Sequence, residues 1–390
     1  MRGTPSLIRK INRSNIIGLI QKRGSLSRSE ISRISGLSLP SVSRIIDSLI
    51  QEGILKEIGK GKSLRGKKPL LIDINSDHQY VFGVEISRKG QIILCNLTGK
   101  VLRREQYFPD PSQGPLSIAN QLSKKITQLS HSLNLLPNKI AGVGIGTPGF
   151  LFKAGPLISQ SPFFGWNSIN AVEIFEKSFP YPVIVENVAK ASAIAEKMYG
   201  YGKQFDNFFY IFTDWGVGGG FFTGGALYRG INGNAGEFGH TIIEQNGVPC
   251  YCGNLGCLEQ YTSTDAIVRE ARSFNKNIKD FDSVMNAFQL DDSKIIALIK
   301  KSGEILGKGV ANIINLLNPE AIIIGGEIAR KCPIYIQSAI VQAHGAVFSL
   351  EARKTPVITS QLGEEAVAMG MASDVISRFI NGNLPIKREE

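Results

Sequence analysis

The 390-residue chain has no apolar run near the ~18 residues of a membrane span. Its opening, Met1-Arg2-Gly3-Thr4-Pro5, leads into alternating polar and apolar residues, where a secretion signal would carry an apolar core. Cysteine is scarce, five residues in all, and three of these fall within eight positions. That clustering points away from a disulfide framework and toward a metal. No staple is required, since a chain of this length buries about three quarters of its unfolded surface. These absences predict a soluble cytoplasmic protein with no membrane partner, and the length suits two or three domains.

Acidic residues are scarce in one region only. Residues 1–76 hold fifteen Lys and Arg against five Asp and Glu, a net of +10 out of +11 for the whole chain. A polyanion-binding module on a neutral body explains this asymmetry, and a basic solvated face is the plain alternative. Ser27-Arg28-Ser29-Glu30 has the form of a capping box ahead of Ile31 and Ile34. Gly36 breaks that helix, and Ser38 with Pro40 starts another, whose Val42, Ile45, Ile46, Leu49 and Ile50 make a full apolar stripe. Leu7, Ile11, Ile16, Leu19 and Ile20 fit a preceding helix. Strands over 54–58 and 70–74 would flank a loop rich in glycine that carries Lys60, Lys62, Arg65, Lys67 and Lys68.

This pattern predicts a winged helix-turn-helix domain over 1–76 that binds double-stranded operator DNA, with a protein-binding three-helix adaptor as the alternative. Lys60, Lys62, Arg65, Lys67 and Lys68 would supply salt-dependent affinity for phosphate. The N-terminal end of the second helix, Ser38, Pro40, Ser41, Ser43 and Arg44, would enter the major groove and read base edges.

From Tyr80 the pattern changes. Strands over 80–86, 91–97 and 101–107, a helix over 116–133 and a buried strand over 140–145 end in Gly146-Thr147-Pro148-Gly149. A similar succession recurs from Phe208, which predicts a duplicated α/β body with a cleft between two lobes. Within this body Cys250, Cys252 and Cys257 lie on a loop containing Gly253 and Gly256, with His240 ten residues before Cys250. A Cys3His set closes a tetrahedral zinc site, which implies one structural zinc per chain with no open position for hydrolysis. Free thiols in a loop are the alternative. Cys95 and Cys332 read as core residues, and His78, His131 and His344 stand in no motif.

Together these residues resemble the ROK family, which joins sugar kinases to sugar-responsive repressors. The resemblance rests on Glu237-x-Gly239-His240, on Cys250-x-Cys252-Gly253-x-x-Gly256-Cys257-x-Glu259, and on Gly146-x-Pro148-Gly149, Glu186-Asn187, Gly216–Gly220 and Asn318-Pro319-Glu320 before Ile322–Gly326. It implies an actin-like (ribonuclease H-like) two-lobed α/β sugar-kinase fold over 77–390. Lobe one would span about 77–195 plus a C-terminal helix at about 365–380, and lobe two about 196–364. It also implies that Asn187, Glu237, His240 and Glu259 hydrogen-bond sugar hydroxyls, with His240 binding zinc through its other ring nitrogen. The alternative is that Glu237 and Glu259 only support the zinc loop.

Two departures set the chain apart from the family's kinases. Those kinases follow the Asn with an Asp general base, whereas Asn187 is followed here by Val188, which cannot accept a proton. Where they carry Asp-x-Gly-Gly-Thr, this chain reads Glu85-Ile86-Ser87-Arg88-Lys89 and lacks both glycines that let phosphate approach the backbone. The expectation is a repressor without enzymatic activity, acting as a dimer or tetramer on carbohydrate genes and sensing a sugar effector, with a pentose such as xylose suited to Val188. A kinase with an appended DNA domain and a repressor controlled by a protein partner are the alternatives. Lys190, where the family often has Asn, reads as a contact for an anionic ligand or as a solvated or salt-bridged lysine.

Overall fold

The computed structural model describes residues 5–60, 69–149, 157–161 and 164–385. The N-terminal domain begins with α1 (Pro5–Arg23), the short β1 (Leu26–Ser27), α2 (Arg28–Ser35) and α3 (Leu39–Gln51). Ser27 and Glu30 cap α2 reciprocally: the Ser27 Oγ accepts from the Glu30 N–H, and the Glu30 carboxylate accepts from the Ser27 N–H at 2.8 Å. Gly36 ends α2 in the left-handed region at φ 72°, and the Ser38 Oγ then accepts from the Ser41 N–H to begin α3. Val42, Ile46 and Leu49 of α3 are buried with Ile16, Ile17, Ile20 and Ile31. β2 (Leu55–Lys60) and β3 (Leu70–Ile74) pair antiparallel, and β1 joins the other edge of β3. Three helices and this small sheet make a winged helix.

Lobe one is built on β4 (Tyr80–Glu85), β5 (Gly90–Asn96) and β6 (Val101–Tyr107), an antiparallel meander followed by α4 (Pro115–Ser132). β7 (Ile140–Thr147) returns parallel to β4. A hairpin of β8 (Leu157–Ser161) and β9 (Trp166–Asn170) and the helix α5 (Ala171–Ser178) follow, then β10 (Val183–Asn187) parallel to β7. The sheet order is β10-β7-β4-β5-β6. α6 (Val188–Tyr199) leads into lobe two.

There β11 (Phe208–Thr213), β12 (Val217–Thr223), β13 (Ala226–Tyr228), β14 (Ala321–Gly325) and β15 (Val357–Thr359) stand in the order β13-β12-β11-β14-β15. Both sheets thus consist of a three-stranded meander extended by two parallel strands on the side of its first strand, so the duplication is topological. The lobe-two helices are α7 (Glu259–Thr262), α8 (Thr264–Phe274), α9 (Phe281–Gln289), α10 (Ser293–Leu317), α11 (Glu327–Lys331) and α12 (Pro333–Ala346).

The last helix, α13 (Ala366–Ile380), crosses back to lobe one and packs on β4, β7 and α6. Glycine makes this close approach possible. A methyl group at Gly83 would stand 1.9 Å from the Ala368 carbonyl oxygen, and one at Gly370 1.8 Å from that of Ala191. The apolar cluster around α13, with Val375, Ile376 and Ile380, continues without a break into Ile54, Leu55, Ile72 and Ile74 of the winged helix. The N-terminal domain is therefore seated on the body and not hung from a linker.

Candidate DNA-binding face, metal centre and interlobe cleft

The start of α3 projects at the surface: Ser38, Leu39, Pro40 and Arg44 are exposed, and Ser41 and Ser43 are partly so. The Ser38 hydroxyl is engaged locally, donating to the Ser41 Oγ at 2.9 Å. Arg28 of α2 steadies the helix from the side, with Nη1 2.7 Å from Asp47 and Nη2 3.4 Å from Glu57 of β2. Lys60 closes β2, while Lys62, Arg65, Lys67 and Lys68 lie outside the described residues.

His240, Cys250, Cys252 and Cys257 converge, with one donor atom of each within 4.8 Å of the others. The Cys252 and Cys257 sulfurs are 3.6 Å apart, as are the His240 Nδ1 and Cys250 Sγ. Two thiolates on a tetrahedral zinc at 2.3 Å would stand about 3.8 Å apart, so the donor set and its spacing fit that ion. The loop is closed by bridges of Ile242 with Cys257 and of Pro249 with Leu255. The His240 Nε2 lies 3.2 Å from the Tyr251 hydroxyl, a partner that fixes the ring and that no motif indicated. The four residues form a metal site. Cys95 and Cys332 are buried away from it.

The residues implied for sugar recognition gather around the N-terminus of α6, β12 and the turn at 237–240. The Asn187 Oδ1 caps α6, accepting from the Ala189 N–H at 2.8 Å, and its Nδ2 donates to the Gly149 carbonyl at 3.1 Å. The buried Glu259 accepts from the Val217 N–H at 2.9 Å, and a side chain at Gly216 would collide with it. Burial pushes the carboxyls of Glu237 and Glu259 up to about 7, with the Lys190 charge drawing Glu237 back down. Glu186 accepts from the Asn187 N–H and pairs with Arg229 at 3.1 Å. Val188 is buried in the core, so no carboxylate stands where the kinases place one. Lys190 corrects one of its sequence readings: it is neither solvated nor, among the described residues, salt-bridged, but fully buried, with its ammonium donating to the Gly233 carbonyl.

A separate cleft of about 500 Å³ opens between the lobes, lined among others by Glu85, Arg88, Asp214, Asp265, Glu327 and Arg330. None of Asn187, Glu237, His240 and Glu259 lines it. The turn between β4 and β5 spans it. Arg88 grips both oxygens of Asp265 at 2.6 and 2.7 Å, and Lys89 reaches Glu327 at 3.4 Å and Asp282 at 3.7 Å. Burial pushes Glu85 up to about 8 and Asp214 up to about 6. The second glycine position and the threonine position of the kinase motif, Arg88 and Lys89 here, thus carry cross-lobe ion pairs.

Comparison with known proteins agrees with this architecture. The profile of the ROK family matches residues 81–377, and that of a winged helix-turn-helix DNA-binding domain matches residues 9–56. The xylose repressor of Bacillus subtilis (strain 168) is 30% identical over 377 residues, covering 96% of this chain and 97% of the relative. The DNA-binding transcriptional dual regulator NagC of Escherichia coli (strain K12) is 28% identical over 396 residues, covering 98% and 96%. Among solved structures, a ROK family transcriptional regulator described as a homolog of the E. coli MLC protein superposes with a TM-score of 0.81 at 24% identity, over 96% of this chain and 98% of that one. A ROK family glucokinase from Streptomyces griseus, in complex with glucose and AMPPNP, gives 0.67 at 25% identity over 76% of this chain and 98% of its own. No helix among the described residues is long and apolar enough to cross a membrane. The chain belongs to the ROK family, as a DNA-binding transcriptional regulator of repressor type with an N-terminal winged helix-turn-helix.

Proposed function

We propose that the chain is a sugar-responsive repressor of carbohydrate-utilisation genes, acting in the cytoplasm as a dimer or tetramer, with a body that binds a sugar and does not phosphorylate it. The observation that carries this reading is the pairing of an exposed α3 N-terminus with a body whose kinase elements are altered at two places. Val188 is buried where a general base would stand, and Arg88 and Lys89 bridge the lobes where a phosphate loop would lie. One structural zinc per chain holds the His240–Cys257 segment, and Asn187, Glu237, His240 and Glu259 bind the sugar hydroxyls. Zinc, when bound, supplies a fixed cross-link and sets the His240 tautomer. The full-length relatives are named for xylose and for N-acetylglucosamine control, and the missing acid at Val188 suits a smaller, less hydroxylated sugar such as xylose.

The DNA side divides by chemistry. Ser41, Ser43 and Arg44, with Ser38 and Pro40 fixing the helix entry, read base edges, while Lys60, Lys62, Arg65, Lys67 and Lys68 hold phosphate. For the sugar to act as inducer it must bind the DNA-incompetent arrangement more tightly, because equal affinity for both arrangements shifts nothing.

The test uses full-length protein, duplexes selected from a random pool, and D-xylose, D-glucose and N-acetyl-D-glucosamine. A sequence-specific complex in the roughly 10⁻⁸–10⁻¹¹ M range, released by one of these sugars, supports the reading. Phosphate transfer from ATP to a sugar, lost on Glu237→Gln, would make it a kinase. A specific complex indifferent to every sugar would give the body a protein partner instead.

A further inference from the structure

Lys190 is among the largest fully buried side chains of the protein, at 1% exposure, and it sits in the first turn of α6 beside Asn187. A buried ammonium is retained only where partners offset its desolvation. Its bonded partner is the carbonyl of Gly233, in the middle of the segment that runs from Arg229 to Glu237.

That segment is held at three places. At its base the Ala235 N–H donates to the Arg229 carbonyl at 3.1 Å, and Arg229 pairs with Glu186. At its end the Gly219 N–H of β12 donates to the Gly236 carbonyl at 2.8 Å, an approach so close that a methyl group at Gly236 would stand 2.3 Å from the Gly219 oxygen. Between these anchors only Lys190 reaches in from α6 among the contacts of the described residues. Next to Gly233, the buried Asn234 Oδ1 has no hydrogen-bond donor among the described residues. Glu237 follows directly.

The charges around this segment are unequal. Glu186 is matched by Arg229, and the single cation Lys190 acts on Glu237, on which Glu259 and Glu186 also act with the opposite sign. Its ammonium is buried and already bonded to the Gly233 carbonyl, so it is committed to the segment and not to an incoming anion.

Building on the sugar-site reading above, we propose that Lys190 is a positioning residue that sets the ligand class: it straps the Arg229–Gly236 segment to α6, fixes the place of Glu237, and leaves a site that accepts neutral polyhydroxy ligands and rejects sugar acids and sugar phosphates. Near-isosteric removal of the charge should free the segment, and a second cation should restore it.

The experiment compares full-length wild type, Lys190→Met and Lys190→Arg. Amide hydrogen exchange without ligand should be at least tenfold faster over 229–236 in Lys190→Met, near wild type in Lys190→Arg, and unchanged over 80–107 in both. Calorimetric titration then uses D-xylose, D-glucose and N-acetyl-D-glucosamine alongside D-xylonate, D-gluconate and D-glucose 6-phosphate. Wild type should take a neutral sugar and none of the anions, Lys190→Met should bind that sugar at least tenfold more weakly, and Lys190→Arg should recover most of the loss. Unchanged exchange at 229–236 in Lys190→Met, or an anion bound as tightly as its neutral counterpart, overturns the proposal. Should wild type bind no member of the panel while the exchange contrast holds, the sugar reading falls and the strap stands.

Discussion

Arg13 of α1 joins the two domains through one guanidinium. Its Nη1 and Nη2 each donate to a Glu52 oxygen at 2.6 Å at the end of α3, and its Nε donates to the Ile380 carbonyl at 3.1 Å at the end of α13. Beside it the Ser14 hydroxyl donates to Asn381 at 2.5 Å. At its other face α13 carries Asp374, paired with Arg378 at 3.0 Å and 4.0 Å from Arg229, which in turn pairs with Glu186 next to Asn187. Bonded side chains therefore extend from the proposed sugar site to Asp374 and Arg378 of α13, and the last turn of the same helix is tied through Arg13 to the foot of α3.

Arg13→Lys tests whether this contact transmits the signal. Lysine keeps the charge but cannot bond both carboxylate oxygens and a carbonyl together in one fixed plane. Glu52 is substantially exposed, so the stability cost is expected to be small, about 1 kcal/mol or less after solvent screening. DNA affinity without effector should stay within about threefold, whereas release by the effector sugar should require several times more of it. Equal release curves for wild type and Arg13→Lys, measured by fluorescence anisotropy on a selected duplex, would show that the signal takes another route.

Local chemistry made much of this legible in the sequence. The Ser27–Glu30 box, Gly36 and the Ser38 cap are all decided within a few residues, and the structure contains each of them. The metal donors were legible for the same reason, since a short glycine-containing loop brings Cys250, Cys252 and Cys257 together almost by itself. Contacts that depend on distant chain segments were not. Arg88 and Asp265 are 177 residues apart, and Arg13 and Ile380 are 367 apart, so no spacing announces either pair. Lys190 shows the same limit from the other side. Its residue type favours solvent, and only the packing of α6 against β12 and the loop at Gly233 explains why it is buried. The hairpin β8–β9 and helix α5, which follow the Gly146–Gly149 turn, are likewise absent from the elements the sequence predicts.

Cys252→Ala should abolish stoichiometric metal. Three remaining donors leave an open, weaker site, and the loop that carries them leaves its apolar Ile242, Tyr251 and Leu255 exposed. Structural zinc contributes about 10–16 kcal/mol in small zinc-finger peptides. Even a few kcal/mol here would move the unfolding midpoint by several degrees, at about 2–4 °C per kcal/mol for a domain of 150–250 residues. Elemental analysis of the purified variant decides the first point and calorimetry the second. One equivalent of zinc retained by Cys252→Ala would remove this residue from the donor set.

Glu85 gives a pH signature. Its carboxyl, buried at the end of β4 with Ser87 beside it and Asp214 nearby, titrates at about 8 instead of its ordinary 4.5. A raised acid favours the folded state below its unfolded value, and that advantage is lost as pH rises toward the folded value. Glu85→Gln never ionises, so it should match wild type near pH 4.5 and then gain on it by at most about 1.4 kcal/mol per pH unit. The difference should level off above about pH 8. Urea unfolding of both proteins across this range measures it, and a constant offset at all pH values would mean that Glu85 is charged in the fold. Asp214, pushed up to about 6, adds a contribution of the same sign in both proteins over a narrower and more acidic window.

Arg44 and Lys60 should fail in different ways. Arg44 is exposed one turn into α3, on the helix end proposed to enter the groove, where a bidentate contact to a base is worth about 1–3 kcal/mol of discrimination. Arg44→Ala should therefore weaken binding to the selected duplex by about five- to 150-fold and relax the preference at one or two base pairs, while non-specific binding falls far less. Lys60 closes the strand that leads into the wing, where a phosphate contact carries no sequence information. Lys60→Ala should weaken selected and scrambled duplexes by the same factor and reduce the slope of log affinity against log salt by about 0.9. Titrating both variants on both duplexes at four salt concentrations separates the two roles. An Arg44→Ala protein that loses affinity equally on selected and scrambled DNA would place Arg44 on the backbone and leave base reading to Ser41 and Ser43.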